Sequence, residues 1–138
     1  MKTIITTLFI LFSFVYFSQM SDLEKVVFEE FRIYKKNYNG NTVKLDTTLS
    51  FGCKEHSITM YKVSNLFHAK MDGVSFKSEI CQESFATSKS TKENAKFILD
   101  GFLVSSEHTK LLREKSEYMG VGIFVDQYDN YWVTIRFR

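Results

Sequence analysis

The stretch Ser90 to Leu112, STKENAKFILDGFLVSSEHTKLL, constrains this chain most, because it fixes one helix, its end and the start of another within a single short segment. Ser90 followed by Glu93 is a capping box, in which the serine oxygen takes an orphan backbone N–H and the glutamate reaches back. Ala95, Ile98, Leu99 and Phe102 then recur at the i, i+3, i+4, i+7 spacing of one helical face, so that face lies against a core. The run Ser105-Ser106-Glu107-His108 caps a second, short helix that Leu111 and Leu112 pin to the core. His108 falls in its first turn and is the first candidate site residue. Ser105 is read as a cap and not as a nucleophile.

The chain has 138 residues, enough for one domain with a real core. Its formal charge of +2 gives no polyanion-binding patch, so a nucleic-acid partner is not expected. Residues 1–19 carry one early charge, Lys2, then the uncharged run IITTLFILFSFVYF and a small polar exit at Ser18-Gln19. This reads as a secretory signal peptide, with export to the periplasm or the extracellular space. The alternative, a retained anchor, would need about 20 apolar residues to cross a bilayer.

A folded unit over 21–138 follows. Ser21 and Glu24 form a second capping box, and Leu23, Val26, Val27, Phe31 and Tyr34 make one helical stripe. Glu29, Glu30, Arg32, Lys35 and Lys36 are read as its solvated face, and Gly40 as its terminating turn. Asp46 or Thr47 caps another helix, with Leu49, Cys53, His56, Met60 and Val63 on one side. His56 therefore points inward, as a hydrogen-bonded core residue. His68 lies on a loop beside the Asp72-Gly73 turn, where functional residues concentrate.

Glu79 to Ala86 is the candidate first strand, with Glu79, Cys81, Glu83 and Phe85 on one face by parity. Tyr118–Val125 and Tyr131–Phe137 form a hairpin across a longer loop. Gly120 and Gly122 leave one face of its first strand bare for close packing. The order of elements implies an α+β layered domain. Cys53 and Cys81 are the only cysteines, an even pair in a chain headed for an oxidising compartment, and a disulfide is the expected state. A metal site with His56 and a pair of buried free thiols are the alternatives.

These pieces resemble, in order, the CAP superfamily (cysteine-rich secretory, antigen 5 and pathogenesis-related proteins, also called SCP-like), in its small bacterial secreted branch. His56-Ser57, Met60 and then Leu66 to Gly73 resemble its helix-then-histidine pattern. Gln82-Glu83-Ser84-Phe85-Ala86 is similar to its Gly-Glu-Asn-Ile-Ala segment, Phe102 to His108 to Trp-x-x-Ser-Pro-x-His, and Met119-Gly120-Val121-Gly122 to its closing Gly-Val-Gly strand. The chain departs from that pattern at Gln82, Ser84, Phe102 and Ser106, and has Ser105 where animal and plant members carry a second glutamate. The resemblance implies an α/β/α sandwich, with a small antiparallel sheet of about three strands covered by about four helices. It also implies a cleft lined by His68, Glu83 and His108, with Glu83 chosen over Glu79 and with His56, Ser105 and Glu79 as supporting residues.

Two histidines and a carboxylate can hold a divalent metal such as zinc, with His68 and His108 as ligands, or can form a hydrogen-bonded cluster. An enzyme also needs a nucleophile and a means to stabilise developing charge, and neither is placed by the sequence. The expectation is therefore a secreted, non-enzymatic module that needs no cofactor and binds a small molecule, lipid, peptide or extracellular protein. It is not expected to remain inserted in a membrane. The alternative is a metal-assisted hydrolase of peptidase or esterase type using the same cleft.

Overall fold

The computed structural model describes residues 19–138, so the signal-peptide expectation for 1–19 lies almost wholly outside the described residues. In order, the elements are α1 (Asp22–Asn39), β1 (Lys44–Leu45), α2 (Thr47–Val63), β2 (Ser78–Phe85), α3 (Thr91–Val104), α4 (Ser106–Arg113), β3 (Tyr118–Val125) and β4 (Asn130–Phe137). The sheet order is β1-β3-β4-β2, with β2, β4 and β3 antiparallel and β1 parallel to β3. Helix α2 covers one face, while α1, α3 and α4 enclose the main core on the other, giving an α/β/α sandwich. The expected three-stranded antiparallel sheet is thus corrected to four strands. β1 has only two residues, too few to print an alternation in sequence.

Both expected helix starts are present, but they differ in detail. At α1 the box is complete: Ser21 N–H donates to Glu24 Oε2 at 2.7 Å and Glu24 N–H donates to Ser21 Oγ at 3.2 Å. At α3 Ser90 Oγ accepts from Glu93 N–H, whereas the Ser90 N–H goes to Ser88 Oγ at 2.9 Å, so Glu93 makes no return bond. The stripe Ala95, Ile98, Leu99, Phe102 is buried as its spacing requires, and Phe102 meets Phe31 of α1 edge-to-face at 5.7 Å. Burial of two such rings contributes about 2–3 kcal/mol each.

Beyond Met119 the outer edge of β3 has no strand partner, and side chains satisfy it instead. Val121 N–H donates to Ser50 Oγ at 3.1 Å, and Ile123 N–H to Glu24 Oε1 at 2.8 Å. Lys54 Nζ closes on the same Glu24 oxygen at 3.0 Å. Glu24 therefore starts a helix and caps a sheet edge at once. Ser57 Oγ, donating to Gly122 O at 3.0 Å and lying 2.8 Å from Thr134 Oγ1, ties α2 to the middle of the sheet.

Lys35 does not lie on a solvated face. It is fully buried, with Nζ donating to Leu112 O at 2.8 Å and Glu114 O at 2.7 Å at the end of α4, and lying 4.7 Å from the Phe137 ring centre. Lys35 is four residues after Phe31, so it continues the apolar stripe, and the carbonyls that compensate its charge come from far along the chain. Burial lowers its pKa from the ordinary 10.5 to about 8, against the smaller opposing pull of Glu114. Between those values the folded chain holds fewer protons than the unfolded chain, so stability gains from this group as pH rises from about 8 to about 10.5. The difference in urea unfolding free energy between wild type and Lys35→Met should grow in favour of wild type across that window. A constant difference would show that Lys35 does not titrate there.

Candidate functional site

The site is organised by one buried carboxylate. β2 runs antiparallel to β4 with Glu79 opposite Arg136, Cys81 opposite Thr134 and Glu83 opposite Trp132. Glu79 and Cys81 face α2 and the loop that follows it, whereas Glu83 and Phe85 lie farther along the same face and are exposed. Parity was therefore right, and the choice of Glu83 over Glu79 is corrected. The carboxylate that meets the histidines is Glu79, because the cover extends over only the first half of the strand.

Glu79 has its side chain 1% exposed and is surrounded by donors. Its Oε2 accepts from Arg136 Nε at 2.7 Å, and its Oε1 accepts from Ala69 N–H at 2.9 Å. His68 Nδ1 lies 3.2 Å from Oε1, His56 Nε2 3.6 Å, and Cys81 Sγ 3.5 Å. Burial alone would raise the Glu79 pKa, but the Arg136 and Ala69 hydrogen bonds with the charges of His56 and Arg136 outweigh it, leaving the carboxyl below its ordinary range.

His56 is buried, as the helical periodicity required. Its Nε2 lies 2.8 Å from Phe67 O, and its ring meets Phe67 edge-on at 4.8 Å. It thereby anchors the segment that carries His68, whose side chain is 56% exposed. Asp72 stabilises the following turn through Val74 N–H, Ser75 N–H and the Ser75 hydroxyl. His108 follows the Ser105 cap in α4, half-buried and edge-on to Phe102 at 5.1 Å. Its pKa is lowered by burial first and then by the charge of nearby His68, with Glu107 opposing. The structure thus brings His68 against Glu79 and Cys81, and leaves His108 close enough to feel the charge of His68 but outside that group. Ser105 serves as the N-cap of α4.

The cysteines are both free and buried, which corrects the expected disulfide. Cys53 lies on α2 where the helix backbone meets Gly122, while the Cys81 thiol turns to the Glu79 carboxylate. Burial is the first cause that pushes both thiols far up in pKa, so neither is an activated thiolate. The expected metal pair of His68 and His108 is also revised. Among the described residues the group close enough to hold an ion is His56, Glu79 and Cys81, and it includes neither His68 nor His108. Sequence reasoning missed Arg136, although a lone arginine amid strand residues opposite a buried carboxylate is the partner such a group requires.

The profile of the cysteine-rich secretory protein (CAP) family matches residues 27–137. No curated protein matches the chain in sequence. Among solved structures, an outer surface protein from Borrelia burgdorferi superposes with a TM-score of 0.68 at 14% identity, covering 87% of this chain and 95% of that one. An extracellular protein containing an SCP domain from Bacillus anthracis str. Ames gives 0.63 at 17% identity, over 84% of this chain and 40% of that one. Venom allergen-like protein 4 from Schistosoma mansoni gives 0.53 at 13% identity, over 86% and 88%. At these identities the likeness concerns the fold.

Proposed function

This chain belongs to the cysteine-rich secretory protein (CAP) family, and from that premise we propose that it is a secreted binding module and not a hydrolase. The observation that carries the reading is the burial of Glu79 among its donors. Both carboxylate oxygens already accept from Arg136 and Ala69, with His68 and the Cys81 thiol also against Oε1. A general base needs access to its substrate and a pKa near the working pH, but the Glu79 side chain is 1% exposed and its carboxyl is held below the ordinary range. Cys81 Sγ does lie 3.9 Å from His68 Nδ1, but that nitrogen also lies against the carboxylate and the thiol is held protonated by burial and by Glu79.

What remains open to a ligand is the half-exposed imidazole pair, His68 and His108, beside the exposed Leu66, Phe67 and Met71. That combination suits a small molecule, lipid or peptide with an apolar body and one hydrogen-bonding group. Extracellular placement is supported by two structural relatives, one an outer surface protein and one an extracellular protein, and by the Lys2-plus-apolar run. No helix among the described residues is long and apolar enough to cross a membrane.

The test uses protein recovered from outside the cytoplasm, whose intact mass should lack about the first 19 residues. It should show no turnover of peptide, ester or glycan substrates, and His108→Ala should lower stability by about 1–2 kcal/mol through the lost contact with Phe102. Hydrolysis that disappears in both His68→Ala and His108→Ala at unchanged melting temperature would establish the metal-assisted or general-base hydrolase instead.

A further inference from the structure

We propose that His56, Glu79 and Cys81 form a three-donor site for a zinc-like divalent transition metal on the α2 face of the sheet, with the exposed His68, which lies outside that group, moving in as the fourth donor. This site shares His68 with the binding reading above and does not use His108, and the cobalt spectra below test it separately from that reading.

The placement follows from secondary structure. Glu79 and Cys81 are two apart on β2 and share a face, His56 projects inward from α2, and His68 sits on the segment that His56 itself anchors through Phe67. One ligand atom from each of His56, Glu79 and Cys81 lies within 4.8 Å of the other two. From Glu79 Oε1 the separations are 3.6 Å to His56 Nε2, 3.5 Å to Cys81 Sγ and 3.2 Å to His68 Nδ1, and His68 Nδ1 is 3.9 Å from Cys81 Sγ. A tetrahedral ion with bonds of about 2.0–2.3 Å has ligand-to-ligand edges of about 3.3–3.8 Å, which the separations from Glu79 Oε1 approach, whereas His68 stands outside the three-donor group and must move toward His56 to complete the shell.

The donor set selects the class of ion. Imidazole, thiolate and one carboxylate oxygen suit zinc and its neighbours, whereas magnesium and calcium require oxygen shells. Arg136 on Oε2 fixes the carboxylate so that Oε1 presents to the ion, the kind of outer support that orients metal ligands. Protons balance as follows. Loading releases the Cys81 thiol proton to solvent, the His56 proton moves from Nε2 to Nδ1 as Nε2 leaves the Phe67 carbonyl, and neutral His68 binds through Nδ1 with its proton on Nε2, for one net proton released.

Cobalt(II) serves as the probe, titrated into the purified protein with a phosphine reductant that keeps both thiols free. One ion per chain is expected, with a near-ultraviolet thiolate-to-cobalt charge-transfer band. Cys81→Ser should abolish the band and weaken binding by more than about 100-fold, His68→Ala should weaken it by about tenfold with the band retained, and Cys53→Ser should change neither. The wild-type and Cys53→Ser spectra identify the sulfur even if Cys81→Ser does not fold, and the exposed His68 endangers no core. Absence of uptake, uptake without the band, or a band lost in Cys53→Ser would each overturn the site.

Discussion

Gly122→Ala is expected to cost the fold about 3 kcal/mol or more, with a melting temperature lower by about 10 °C or more. A Cβ at Gly122 would stand 2.0 Å from Lys54 N, 2.3 Å from Cys53 C and 2.6 Å from Lys54 Cα, all of them helix backbone. No rotamer change relieves such a contact, so α2 must lift from the sheet. Ser57 would then lose Gly122 O and Thr134, and His56 would move off Glu79. Gly101→Ala is the control, since its Cβ meets only the flexible end of Gln82, and alanine suits a helix interior better by roughly 1 kcal/mol. It should be close to neutral. Urea unfolding of both variants decides the matter: a Gly122→Ala protein within about 1 kcal/mol of wild type would mean that the helix is not seated on the bare strand face.

Arg136→Met should cost about 3–5 kcal/mol, the magnitude seen when one partner of a buried ion pair is removed and the other charge stays behind. Glu79 is 1% exposed and Arg136 only 11%, with Nε on Oε2 at 2.7 Å and the guanidinium 4.3 Å from the Phe76 ring centre. The variant leaves the carboxylate with Ala69 N–H and the histidines alone. Adding Glu79→Gln removes the stranded charge, so the double variant should recover part of the loss. Equilibrium unfolding of the two single variants and the double variant measures that coupling. Additive losses would show that Arg136 acts only by packing.

Local patterns along the chain were enough to specify the helices, the hairpin and the strand faces, because each depends on neighbours within a few residues. Ser21 with Glu24 starts α1, the Ala95-to-Phe102 stripe seats α3, and Gly120 with Gly122 clears the face on which α2 lies. The family resemblance was legible for the same reason, as an ordered set of such local patterns. Tertiary structure decided the rest, where two residues of equal local standing meet different surroundings. Glu79 and Glu83 share a strand face, and only the β2–β4 register and the reach of the α2 cover make one a buried anion beside Arg136 and leave the other in solvent. Lys35 lies at a core position of a charged helix, and only the carbonyls of Leu112 and Glu114 explain why a cation can stay there. A buried charge is permitted by a partner, and in this chain the partners come from segments far away in sequence.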